Sequence, residues 1–102
     1  MSYEDEILEW QEQLASIGID PHLVELGKAR ELAGRDEFGD AWMNRDNVAE
    51  GGEEGADFIN YAFFKVLQRR EEGRDGRMDL ALIAAHKIHE AFDALKRLED
   101  AP

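Results

Sequence analysis

The segment Asp46–Arg70, DNVAEGGEEGADFINYAFFKVLQRR, is the one around which the rest of the chain is arranged. Glu50, Glu53, Glu54 and Asp57 crowd its first half; Phe58, Ile59, Tyr61, Phe63, Phe64, Val66 and Leu67 fill its second. At about 100° per residue the four acids share roughly a 100° sector of a helix, with Val48, Ile59, Phe63 and Val66 on the opposite side. So far this is an amphipathic helix with a wet acidic face. Tyr61 and Phe64, however, continue the acidic sector itself, which makes the second half apolar nearly all round. A helix of that kind is expected to be buried on both sides, with the carboxylates ahead of it opening into a cleft.

Working outward, 102 residues bound a single domain with a modest core. A hydrophobic content of 43% and two prolines fit a folded globular chain. The net charge is −12, and all of it sits in residues 1–57, which hold 16 acids and 4 bases; residues 58–102 are balanced at 8 and 8. Such a field opposes direct binding to nucleic acid or to an anionic membrane. It favours cations, basic protein surfaces, or phosphates approached through a metal. There is no cysteine, which excludes disulfides, thiolate chemistry and zinc–sulfur sites. The acidic start MSYEDEILEW is unlike a secretory signal, and the apolar run Leu80–Ala85 is far too short to span a bilayer. The expected location is the cytoplasm.

Upstream, Ser2 with Asp5 forms a weak capping box for a first helix over residues 3–17, carrying Ile7, Trp10, Leu14 and Ile17 with Leu8 beside them, and stopping at Gly18. Asp20-Pro21 is an N-cap followed by proline at N1, with Ile19 and Val24 set as a hydrophobic staple. It opens a second helix over 21–33 whose apolar side is Leu23, Leu26 and Ala33, flanked by Val24, and which ends at Gly34. Residues 34–44 read as a connection in which Phe38, Trp42 and Met43 pack under the edge of a bundle. Asp46 caps the third helix, over 47–71. Downstream, Gly73 and Asp75-Gly76 mark a turn, and a fourth helix over 78–98 presents Leu80, Ala84, Ile88, Ala91, Phe92 and Leu95. No segment has the period of two of a strand. The fold class is all-α, a four-helix bundle.

Gly51, Gly52 and Gly55 each cost the third helix up to about 1 kcal/mol against alanine. Gly52 and Gly55 fall on its apolar side, so close approach of another backbone is the expected reason. The small residues Ala81, Ala84, Ala85 and Ala91 of the fourth helix are the expected counterpart.

Chemistry is suggested by two stripes. Glu50, Glu54 and Asp57 stand at i, i+4 and i+7; His86, Glu90 and Asp93 repeat that spacing, with His89 on the margin. Face to face, they would offer oxygen ligands at the density that Mg²⁺ or Mn²⁺ takes. Facing water, both are solvated outer faces. The order His86-x-x-His89-Glu90 does not match the Glu-x-x-His of di-iron bundles. No catalytic triad, P-loop or dinucleotide fingerprint is present.

Glu53-Glu54-Gly-Ala-Asp57-Phe-Ile-Asn60-Tyr61 resembles the Glu-Glu-x-x-Asp helix of the MazG-like, all-α nucleoside triphosphate pyrophosphohydrolases. The larger pattern, Phe38-Gly-Asp40, Arg45-Asp46-Asn47 and then the acidic helix, is similar to small MazG-like proteins of bacteriophages; the expected cytoplasm is then that of the host cell. The resemblance covers roughly residues 25–70, and its strong part is residues 53–61. It implies Glu54 and Asp57 as metal-binding catalytic residues, Mg²⁺ held against a triphosphate, and assembly as a dimer or tetramer. The family pairs this motif with an earlier Glu-x-x-Glu. Here Glu25 is followed by Lys28 and Glu31 by Gly34; Glu9-x-x-Glu12 lies too far upstream, and Glu50-x-x-Glu53 is on the same helix. The site is then either completed differently, by Glu50 and the fourth helix, or incomplete.

Two functional expectations follow. One is a metal-dependent nucleotide pyrophosphohydrolase, with Glu50, Glu53, Glu54, Asp57, Glu90 and Asp93 as candidate Mg²⁺ or Mn²⁺ ligands and Lys28, Arg45 and Lys65 as candidate phosphate contacts, or an inactive member of that fold. The other is an acidic interaction module with no catalysis, docking on a basic protein partner and perhaps imitating nucleic acid in charge. A homodimer is expected under either.

Overall fold

A computed structural model describes residues 3–102. Among them are four α-helices and no strand, as the sequence pattern predicts: α1 Tyr3–Ser16, α2 Pro21–Phe38, α3 Asn47–Glu71 and α4 Met78–Asp100, with a 3₁₀ turn at Ala41–Asn44. None of the helices is long and apolar enough to cross a membrane. The chain divides into two compact units at Met43/Asn44.

In the first unit α1 packs on α2. Asp20 caps α2 by accepting the His22 amide at 2.8 Å, with Pro21 at the first helical position. The cap expected from Ser2 lies outside the described residues. Helix α2 does not stop at Gly34. It runs on to Phe38 and ends where Gly39 takes a left-handed φ of 61°. Arg35 is bonded to Glu31 one turn back, which holds the helix together across Gly34. The prediction of a loop at 34–38 fails because that pairing outweighs one glycine.

The inward face of α2 also differs from expectation. Val24, set down as a flanking residue, is buried, whereas Leu23 and Leu26 are exposed. Behind Val24 the half-buried positions are Lys28, Glu31 and Arg35. Their spacing continues one stripe, so the α1–α2 seam is ionic, and Arg35 reaches across it to Glu4 at 3.4 Å. Phe38 and Met43 are about half exposed and do not tuck under a bundle edge. Trp42 does pack, edge-on against Tyr3 with ring centroids 5.4 Å apart.

The second unit is a long antiparallel hairpin of α3 and α4. Asp46 caps α3 through the Ala49 amide at 3.0 Å. The glycines of α3 are where the two helices meet. A Cβ on Gly51 would lie 2.5 Å from Leu95 Cδ2, on Gly52 3.1 Å from Phe92 Cε2, and on Gly55 3.0 Å from Ile88 Cγ2. Close approach is therefore their role. The counterparts are the large residues Ile88, Phe92 and Leu95 and not the alanines: a missing Cβ on one helix makes room for a bulky side chain on the other.

At the other end Val66, 3% exposed, is the buried residue of α3. Gly76 lies on it so tightly that an added Cβ would sit 2.8 Å from Val66 Cγ1. Gly73 closes α3 with a φ of 75°. Asp75 shapes the turn: its carboxylate accepts the Arg77 amide at 2.8 Å and its carbonyl accepts Arg69 Nε at 2.7 Å. Arg77 then opens α4 in the left-handed region, at φ 59° and ψ 51°.

Candidate functional site

The acidic stripe is placed by the glycine contacts. Gly51, Gly52, Gly55 and Val66 turn one side of α3 to α4. At about 100° per residue, Glu50, Glu53, Glu54 and Asp57 point the opposite way. All four are exposed, and none makes a hydrogen bond or ion pair among the described residues. Tyr61 and Phe64 continue the stripe as expected and touch edge-on, centroids 6.2 Å apart. They are exposed as well, Tyr61 by 67%. The expectation that an apolar-all-round helix is covered on both sides is not met within this unit. A hairpin gives each helix one neighbour, and α4 occupies only the glycine side.

On α4 the residues toward α3 are Ile88, Phe92 and Leu95, so His86, Glu90 and Asp93 lie on the outer side, exposed. Glu90 pairs with Lys87 at 3.7 Å and Asp93 with Arg97 at 3.4 Å. The two stripes thus stand back to back within the hairpin, and Glu90 and Asp93 are not brought to Glu54 and Asp57. Among the described residues no three of Asp, Glu and His converge as metal ligands. The donor set within one chain consequently does not fit a bound Mg²⁺ or Mn²⁺: a hard cation takes six or more oxygens around one point, and these carboxylates fan outward from one helix.

The candidate phosphate contacts are scattered. Lys28 belongs to the first unit. It pairs with Glu25 at 3.3 Å and lines a cleft with Glu4, Asp5, Glu31 and Arg35, a lining whose carboxylates repel a phosphate. Arg45 precedes α3 and is exposed and engaged in contacts of its own. Lys65 is exposed on α3, with no ion pair among the described residues.

Lys65 has company that sequence reading missed. Arg69, one turn on, and Arg77, at the start of α4, line one cleft with it. The guanidinium of Arg77 grips Asp79 through two bonds, of 3.0 and 2.9 Å. That hydrogen bond is the main reason the Asp79 carboxyl is held below its ordinary range and the Arg77 guanidinium above its own. The Lys65/Arg69 spacing of four was the available signal; its pairing with Arg77 depends on where the turn returns the chain.

The exposed apolar side chains of the hairpin are concentrated too. Nine large ones, from Phe58 to Ile83, stand 37–67% exposed, all in the half near the turn. The half carrying the acids exposes only Leu98 among its large apolar residues. Comparison with known protein families, with curated proteins and with solved structures finds no match to this chain.

Proposed function

We propose that the chain is a non-catalytic, MazG-like helical module that works by association: the turn-proximal half of the α3–α4 hairpin joins a second copy of the chain, and the acidic half docks on a basic protein surface. The observation that carries this reading is the segregation just described, apolar surface at one end of a rigid hairpin and unpaired carboxylates at the other. Covering the nine exposed apolar side chains amounts to about 800 Å² a side, the area of an ordinary stable interface. The flank of α3 bearing Phe63 and Leu67, with Met78 and Leu82 of α4, is the self-association surface.

Metal-dependent pyrophosphohydrolysis is the second reading. It is favoured by one observation: Glu50, Glu54 and Asp57 are open and engaged by no cation of the described residues. It requires opposing carboxylates from outside the hairpin.

Two measurements separate the readings. Sedimentation across a concentration series reports a dimer under the first. Calorimetric titration with Mg²⁺ and Mn²⁺, with a panel of nucleoside triphosphates assayed for pyrophosphate release, gives neither tight binding nor turnover. Turnover abolished by Asp57→Ala overturns the first reading and establishes the second. A strict monomer overturns the self-association.

A further inference from the structure

The cleft shared by Lys65, Arg69 and Arg77 has a volume of about 320 Å³, at the lower end of the range that holds small organic ligands. Its floor is apolar, made by Val66, Leu80 and Ala81, with Gly76 closing one end. The packing of Gly76 on Val66 makes that floor stiff. Every ionisable residue of the lining is a cation, in a chain where acids outnumber bases two to one.

The three cations are differently committed. Lys65 makes no ion pair among the described residues. Arg69 spends Nε on the Asp75 carbonyl. Arg77 holds Asp79, a surface pair that an incoming anion can exchange at little cost. The cleft also lies on the flank of α3 away from Phe63 and Leu67, since Lys65 and Arg69 fall on the other side of Val66. Self-association through the Phe63 flank leaves it open.

We infer that this cleft is a binding site for a small amphiphilic anion, whose apolar body lies on Val66 and Leu80 and whose carboxylate or phosphate head meets Lys65 and Arg77. An apolar floor alone accepts neutral and charged ligands alike, and a cationic rim alone accepts free phosphate. Together they select a molecule that has both parts.

The test is calorimetric titration of the full chain with octyl phosphate, octanoate, octanol and inorganic phosphate. Octyl phosphate or octanoate, or both, bind at least tenfold more tightly than octanol and than inorganic phosphate; which of the two is tighter identifies the head group. Lys65→Gln with Arg77→Gln removes most of that advantage and leaves octanol unchanged. Lys65→Gln alone, at an exposed unpaired position, keeps the test decisive should the double variant fail to fold. Octanol binding as tightly as the anions, inorganic phosphate binding as tightly as octyl phosphate, affinity unchanged in the variants, or no binding to the wild type each overturns the assignment.

Discussion

Gly55 and Ile88 meet across the α3–α4 seam with no room for a methyl group between them: a Cβ on Gly55 would stand 3.0 Å from Ile88 Cγ2. Ile88 is β-branched, and in a helix its χ1 has essentially one rotamer, so it cannot swing aside. Alanine at 55 gains about 1 kcal/mol of helix propensity, and overpacking costs about 1–3 kcal/mol. Gly55→Ala is expected to destabilise the hairpin by about 1 kcal/mol. Gly51→Ala meets only the end of the Leu95 side chain, which can turn away, and is expected to be near neutral. Urea melts of the two variants check the order, and Gly55→Ala more stable than wild type refutes the close-packing account.

Gly76 and Val66 lock the other end of the hairpin. Val66→Ala removes its best-buried side chain and is expected to cost about 2 kcal/mol. Gly76→Ala is expected to cost at least as much, because the methyl group meets both Val66 and Arg70 below van der Waals distance. Thermal melts give both numbers. If the Gly76→Ala turn behaves as wild type, the tight packing described for it is wrong.

Self-association makes stability depend on protein concentration. The wild-type melting temperature is expected to rise across a hundredfold concentration series. Phe63→Glu with Leu67→Glu is expected to abolish that rise and to sediment as a monomer while keeping its helical circular dichroism. Binding of the acidic half to a basic partner is expected to weaken steeply with added salt, whereas dimer formation is not.

Asp79 supplies a pH handle. Its folded carboxyl titrates below the unfolded value, mainly through the Arg77 hydrogen bond. The contribution is therefore present above the unfolded carboxylate range and is lost as pH falls through the lower folded value. Arg77, shifted upward, stays charged throughout. Asp79→Asn is expected to melt slightly below wild type at neutral pH, with the gap closing at about pH 2. The effect is small because both side chains are open to water.

The helices were legible where one local rule was unopposed: Asp20-Pro21 and Asp46 cap where their residue types predict. The end of α2 was not, because Gly34 reads as a stop only if the Glu31–Arg35 bond across it is ignored. The close packing of Gly52 and Gly55 was legible from their face, but their partners were not, since the register of α4 is set by the turn at Gly73–Arg77. The acidic stripe was legible as a stripe. Which way it faces depends on which side of α3 the glycines offer to α4, and periodicity describes one helix, never the number of its neighbours. The cleft cations were out of reach for the same reason, as Arg77 joins Lys65 only through the returning chain.

The ionic seam between α1 and α2 has a consequence for how the chain opens. Val24 is its one buried apolar residue among those described, and the remainder is the Lys28–Glu31–Arg35 ladder with Glu4. Contacts of that kind fade in salt, whereas the glycine seam of the hairpin does not. Amide protons of α1 should thus exchange with deuterium long before those of α3, and faster still in brine, so that the first unit unzips as a separate cooperative step beneath a surviving hairpin.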